Sequence, residues 1–246
     1  MKLFASDFDG TLFNRDKLLG ISGRSFDAIS RFQEQGNMFG ICTGRAKDVK
    51  MFEVAFKGKV KCDFYILMTG AVILDREYNV LYEKCIDKAV AKKLYALYSS
   101  KGMMNIVAHD GQGKAYYYQP YNHRKFMGDD DYQIFGFSLI SLNKEKAGRI
   151  AAEMNEEYGE YVSACQNGPI VDVVAAGCSK ASGMKFIKEL YKPDKTYGIG
   201  DSFNDIPLLE EADVRFTFNS APTELMKRAD ALVSSVSEAL GKTGVL

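Results

Sequence analysis

In the N-terminal part of the chain, short apolar runs alternate with longer segments in which apolar residues recur at helical spacing. Leu3–Ser6 reads as a short strand that ends at Asp7. From Ser22 to Gln35, the positions Phe26, Ile29, Ser30 and Phe32–Gln33 fall on one helix face, and Gly36 stops the helix. Met38–Cys42 is a second apolar strand ending at Thr43, Arg45–Phe56 a second helix, and Phe64–Met68 a third strand. Strands this uniformly apolar are buried on both faces. Separated by helices, they predict a parallel sheet covered by those helices.

The pattern then changes. Ala71–Asp75 and Val80–Glu83 flank Tyr78-Asn79 and read as a hairpin. Asp87–Lys101 is an amphipathic helix, and the strands Met103–Ala108 and Lys114–Tyr118 meet at the turn Asp110-Gly111-Gln112-Gly113. A short irregular or helical piece follows at Tyr121–Met127, then Phe135–Ser141 (strand), Lys144–Tyr158 (helix), and Tyr161–Ala164 and Ile170–Val174 (strands). Alternation returns at the end. Ser179 caps a helix reaching Leu190, Thr196–Ile199 is a strand, Asp205–Glu210 a helix and Val214–Phe218 a strand. The expected fold class is α/β, with a core formed by residues 1–78 and 173–246 and an inserted α+β domain at 79–172.

Composition narrows the function classes. A chain of 246 residues with 46% apolar and 26% charged residues has an ordinary globular balance. Lys plus Arg and Asp plus Glu are 32 each, for a formal net charge of +0, which leaves no broad basic surface for nucleic acid or an anionic membrane. Cys42, Cys62, Cys85, Cys165 and Cys178 are scattered without a Cys-x-x-Cys pair, arguing against a disulfide framework or a zinc knuckle. The two histidines, His109 and His123, cannot form a His-rich metal site. No uncharged apolar run approaches a membrane span, and no signal peptide is read at the start, so a cytoplasmic location is expected. Tyr116-Tyr117-Tyr118 reads as a packed strand and Asp129-Asp130-Asp131 as an exposed loop.

The candidate chemistry sits where α/β strands end, the place where open sheets of this kind bind ligands. Asp7-Phe8-Asp9-Gly10-Thr11 puts two carboxylates just past the first strand. One can attack phosphorus and the other can transfer protons. Taken alone, such a run is more often an acidic turn. Thr43-Gly44-Arg45 offers a hydroxyl and a backbone N–H to an anion at a helix start. Ser179-Lys180 can place a positive charge beside phosphate oxygens. Gly200-Asp201-Ser202-Phe203-Asn204-Asp205 adds two carboxylates, and an all-oxygen donor set suits Mg²⁺.

In this order, the motifs resemble the haloacid dehalogenase (HAD) superfamily. Its most specific parts are matched by Asp7-Phe8-Asp9-Gly10-Thr11-Leu12 and by Gly200 through Pro207. The insertion between Thr43 and Lys180 is similar to the α+β cap of the Cof-type branch. The resemblance implies a Rossmann-like parallel-sheet core with an inserted cap that sets substrate specificity. It implies a Mg²⁺-dependent phosphatase acting through an aspartyl-phosphate on a small phosphorylated metabolite: a sugar phosphate, a nucleotide or a cofactor phosphate. Asp7 would then be the nucleophile. Asp9 would be the general acid/base and would also give its backbone carbonyl to Mg²⁺. Asp201 would be the second carboxylate ligand, and Asp205 would hold metal-bound water or orient ligands. Thr43, the Gly44 backbone, Lys180 and Asn204 would bind the phosphoryl group, with Arg45, His109 and Asp110 as further candidates near substrate. Two positions depart from the family pattern: Thr69 replaces the usual Asn before Gly70-Ala71, and Ala181 replaces a common Gly after Lys180. A phosphomutase is the nearest rival, disfavoured by the short stretch between Asp9 and Thr43, where such mutases carry a helical cap. A phosphatase of protein or nucleic-acid phosphate fits the large cap and neutral charge poorly. A non-enzymatic phosphometabolite-binding protein is the rival from another class.

Overall fold

The computed structural model describes residues 1–15, 17–18, 20–46, 48–100, 105–110, 115–117 and 133–244. The chain starts with β1 (Lys2–Ser6), α1 (Gly23–Glu34), β2 (Met38–Cys42), α2 (Val49–Phe56), β3 (Phe64–Leu67), β4 (Val72–Asp75) and β5 (Val80–Glu83). It ends with α5 (Lys180–Tyr191), β11 (Lys195–Ile199), α6 (Ile206–Glu211), β12 (Val214–Phe218), α7 (Thr223–Met226), β13 (Ala231–Val233) and α8 (Val236–Gly241). Strands from both ends share one eight-stranded sheet of order β13-β12-β11-β1-β2-β3-β4-β5. Pairing is parallel from β13 to β3 and antiparallel from β3 to β5.

β1 sits at the sheet's centre because its middle residues, Leu3, Phe4 and Ala5, are apolar and buried on both faces. Phe4 stacks with Phe39 at 5.8 Å and with Tyr197 at 6.1 Å, its partners in register, while Leu3 and Ala5 pack on the other side with Ile66 and Met184. The chain leaves β1 for β2 on one side and reaches it again from β11 on the other. That reversal opens a crevice at the carboxyl end of β1, where Asp7 stands.

The intervening chain forms α3 (Lys88–Ser100), β6 (Asn105–Asp110), β7 (Ala115–Tyr117), β8 (Ile134–Ile140), α4 (Lys144–Tyr158), β9 (Val162–Asn167) and β10 (Ile170–Ala175). Its strands make a five-stranded antiparallel sheet of order β7-β6-β8-β10-β9. Alternation decides which face is covered. Phe135, Phe137, Leu139, Val171 and Val173 are buried under the two helices, and Tyr95 of α3 meets Phe137 at 6.4 Å. The chain crosses between the two sheets twice, and Lys84 Nζ ties the crossings together by donating to the Ala176 carbonyl at 2.9 Å.

Several elements differ from the sequence reading. β5 is bonded into the eight-stranded sheet, although a division at residue 79 put it in the insert; the hairpin keeps it on β4. β10 runs past residue 172 to Ala175 within the five-stranded sheet. The second helix starts at Val49 rather than Arg45, because Asp48 caps it by accepting from Met51 N at 3.0 Å. β3 stops at Leu67, since Met68 and Thr69 turn left-handed (φ 48° and 52°) into a 3-10 turn, Met68–Gly70. The helix expected over Asp205–Glu210 is α6, Ile206–Glu211, shifted by one residue because a 3-10 turn, Phe203–Asp205, precedes it. The readings at Tyr121–Met127, at Asp129–Asp131 and of the loop 111–114 lie outside the described residues. Among the described residues, no helix is long and apolar enough to cross a membrane.

Candidate active site

Asp7 follows β1 directly, and its N–H donates to the Ile199 carbonyl at 2.9 Å, which joins the ends of β1 and β11. The next turn is tight. Gly10 takes a φ of +78°, and a Cβ there would lie 2.7 Å from Asp201 Oδ2, so only glycine brings this loop onto the β11 loop. Thr11 Oγ1 then donates to Asp201 Oδ1 at 3.1 Å, and Arg15 Nη2 stands 3.7 Å from Asp201 Oδ2. Arg15 is fixed over the Phe218 ring at 3.6 Å and donates to Ser220 Oγ at 3.0 Å.

Lys180 enters from α5. Ser179 caps that helix in a reciprocal box with Ser182, the two N–H···Oγ bonds being 3.0 and 2.8 Å long. The Lys180 ammonium is fully buried and donates to Asp7 Oδ1 at 2.7 Å and to Asp205 Oδ1 at 2.6 Å. Asp205 uses its other oxygen to accept from the N–H groups of Asp201 (2.9 Å) and Ser202 (3.0 Å), which fixes the loop after β11. Ligand oxygens of Asp7, Asp201 and Asp205 all lie within 4.8 Å of one another. Three carboxylates beside the Lys180 ammonium and the Arg15 guanidinium leave an excess of negative charge, and their hard oxygen donors fit a hard cation.

Electrostatics follow from this crowding. Burial, and then the Asp205 charge, push the Asp7 carboxyl up to about 8 against the pull of Lys180. Burial also raises Asp201, helped by Asp205 and opposed by Thr11, Arg15 and Lys180. For Lys180, burial favours the neutral amine, but Asp205 and Asp7 outweigh it and hold the ammonium well above its usual range.

Thr43 and Gly44 arrive from β2. The Thr43 carbonyl accepts from Thr69 N at 3.0 Å and its hydroxyl from Arg45 N at 3.1 Å, so the loop is pinned to the turn after β3. Arg45 grips Asp9 with both arms, Nε to Oδ2 and Nη2 to Oδ1, each at 2.6 Å. The Asp9 carboxylate therefore stands apart from the Asp7–Asp201–Asp205 trio. A cavity of about 550 Å³ opens above these groups, lined by Asp7, Asp9, Thr43, Gly44, Arg45 and Asn204 from the large sheet's loops. The small sheet contributes Ser138, Asn167, Ile170 and Asp172.

Asp7, Asp9, Thr43, Gly44, Lys180, Asp201, Asn204 and Asp205 thus gather at one end of the molecule, with Arg45 beside them. His109 and Asp110 lie at the end of β6, and the reading that places their side chains near substrate lies outside the described residues. Sequence reasoning passed over Asp172, Ser138 and Asn167. Asp172 carried a signal: it is the one acid in the otherwise apolar strand Ile170–Ala175.

A parallel-sheet core with paired aspartates after its central strand, a buried lysine and an inserted antiparallel unit define a HAD-type fold. The chain belongs to the haloacid dehalogenase-like hydrolases, whose sequence profile matches residues 4–241. It is similar to the 5-amino-6-(5-phospho-D-ribitylamino)uracil phosphatase YwtE of Bacillus subtilis (strain 168), with 22% identity over 278 residues, covering 97% of this chain and 94% of that protein. Its fold matches a haloacid dehalogenase-like hydrolase from B. subtilis at a TM-score of 0.84 and 20% identity, over 98% of this chain and 99% of the other. It also matches the HAD subclass IIB sugar phosphatase BT4131 at a TM-score of 0.82 and 20% identity, over 100% of both chains.

Proposed function

We propose that this protein is a Mg²⁺-dependent phosphatase that hydrolyses a small phosphorylated metabolite through an aspartyl-phosphate on Asp7. The observation that carries this reading is the Asp7 carboxylate, held by the buried Lys180 ammonium at 2.7 Å and facing the cavity that Thr43 and Gly44 line. Asp7, Asp201 and the Asp9 carbonyl would hold the cation, with Asp205 orienting the loop behind them. Bound there, Mg²⁺ would offset the charge that accumulates when a carboxylate approaches a phosphate dianion.

The chain's own groups account for the remaining steps. Asp7 forms a bond to phosphorus as the ester P–O bond breaks, and Asp9, protonated and released from its pair with Arg45, gives its proton to the leaving oxygen. Thr43, the Gly44 N–H, Lys180 and Asn204 hold the equatorial oxygens and stabilise their spread charge. Asp9, now a carboxylate, takes a proton from water as that water attacks phosphorus. The Asp7–phosphate bond breaks, and both phosphate and the starting enzyme are released. The five-stranded unit covers the cavity as a cap, and its inner face meets the leaving group. The ribityl phosphate substrate named for YwtE and the sugar phosphate named for BT4131 favour a hydroxyl-bearing leaving group here.

Phosphate release from a panel of sugar, polyol, nucleotide and cofactor phosphates, with Mg²⁺ and with EDTA, tests the reading. Release that needs Mg²⁺ is expected for at least one hydroxyl-bearing monoester. Absence of release across the panel, from a folded protein, would return the non-enzymatic binding protein as the better reading.

A further inference from the structure

The inner face of the small sheet is built against its own pattern. Gly136, Ser138 and Ile140 of β8 pair with Val174, Asp172 and Ile170 of β10. A sheet face closed over another domain is ordinarily apolar, yet here a carboxylate and a hydroxyl sit between the Ile140–Ile170 pair and the Gly136–Val174 pair. Ser138 Oγ donates to Asp172 Oδ1 at 2.9 Å, and the Asn167 amide also bonds this carboxyl. Those two contacts set its orientation. Oδ2 is turned across the cavity toward Gly44, where a Cβ would lie only 3.0 Å from it. Burial raises the Asp172 carboxyl, while Ser138, Asn167 and the Lys180 charge oppose the rise. A half-enclosed acceptor facing the phosphoryl cradle, with no described hydrogen bond to the core, is matched by a donor on the bound molecule.

We infer that Asp172, oriented by Ser138 and Asn167, is the specificity-determining group of the cap: it accepts a hydrogen bond from a hydroxyl of the leaving group near the phosphorylated carbon. The proposal rests on the phosphatase reading and narrows it. A leaving group without a hydroxyl leaves the carboxylate desolvated and unmatched, and a leaving group with a second anion meets its repulsion. Polyhydroxy phosphomonoesters are the substrate class that satisfies both conditions. Met51 and Ile170 line the same cavity and take the carbon skeleton.

The experiment compares kcat/KM for D-ribitol 5-phosphate and pentyl phosphate, which share a five-carbon chain and differ in hydroxyl groups, with p-nitrophenyl phosphate as a third substrate. The wild type is expected to prefer the ribitol ester. In Asp172→Asn, which keeps the shape and loses the charge, that preference should fall about tenfold or more. Ser138→Ala, a milder change, should shift it the same way by less. A preference unchanged in both variants would overturn the inference while leaving the phosphatase reading intact. An equal loss on all three substrates would overturn it too, since it assigns Asp172 a structural role. No release from any of the three by the wild type would remove the phosphatase reading itself and the inference with it.

Discussion

At the scale of single residues, the site is an arrangement of charges that do not balance without a cation. Asp7 and Asp205 share the Lys180 ammonium, and Asp201 has the Arg15 guanidinium 3.7 Å away, so three carboxylates face two cationic groups. Asp205 has both oxygens committed, to Lys180 and to two backbone N–H groups, so it shapes the loop. Asp7 retains an oxygen for chemistry, and burial with the Asp205 charge raises its carboxyl to about 8. In the unfolded chain the same group titrates at about 3.9. Between these two values the folded protein holds a proton that the unfolded chain has lost. Stability is therefore fullest near the lower pH and declines as pH rises through the window. In EDTA, the melting temperature of the wild type should fall relative to that of Asp7→Asn as pH rises from about 5 to about 8. Mg²⁺ should narrow the gap by stabilising the ionised wild type. Parallel melting curves for the two proteins across that range would show that Asp7 is not held in this raised state.

At the scale of elements, the turn after β3 joins the parts of the site. Met68 N donates to the Arg45 carbonyl at 2.9 Å and Thr69 N to the Thr43 carbonyl at 3.0 Å, while Gly70 abuts the Ser179 carbonyl at the start of α5. Two non-glycine residues are left-handed in succession, and a β-branched side chain at Thr69 is costly there. Asn, which the family commonly has at this position, tolerates that conformation. Thr69→Asn should therefore raise unfolding stability by about 1 kcal/mol, measured by urea denaturation. A loss of stability would show that the Thr69 methyl packs better than its backbone suffers. This turn also marks where the sequence was hard to read. Apolar spacing located β1, β2, α1, α4 and β12 almost to the residue, because burial on fixed faces dictates it. It extended β3 by one residue into the turn and started α2 at Arg45, because a left-handed residue and an Asp48 cap leave the apolar pattern undisturbed. α7, β13 and α8 were not read at all; they are four, three and six residues long, too short to build a periodicity.

At the scale of the whole molecule, two sheets face each other across a cavity of about 550 Å³, one bringing the Asp7 and Asp9 carboxylates and the other a polar patch. The half that carries Asp7 was legible in the sequence because its residues fall in short fixed runs at strand ends: Asp7-Phe8-Asp9, Thr43-Gly44 and Gly200-Asp201. The facing half was not. Ser138, Asn167 and Asp172 come from different strands, and only the antiparallel register of β8, β9 and β10 brings them together. The claim on which both halves depend is that Asp7 attacks phosphorus. Phosphate release by wild type and Asp7→Asn at saturating Mg²⁺, on the best substrate of the panel, tests it most directly. Turnover by a folded Asp7→Asn protein should fall by about 10⁴-fold or more. A folded Asp7→Asn protein that retains activity within about tenfold of the wild type would contradict a nucleophilic Asp7.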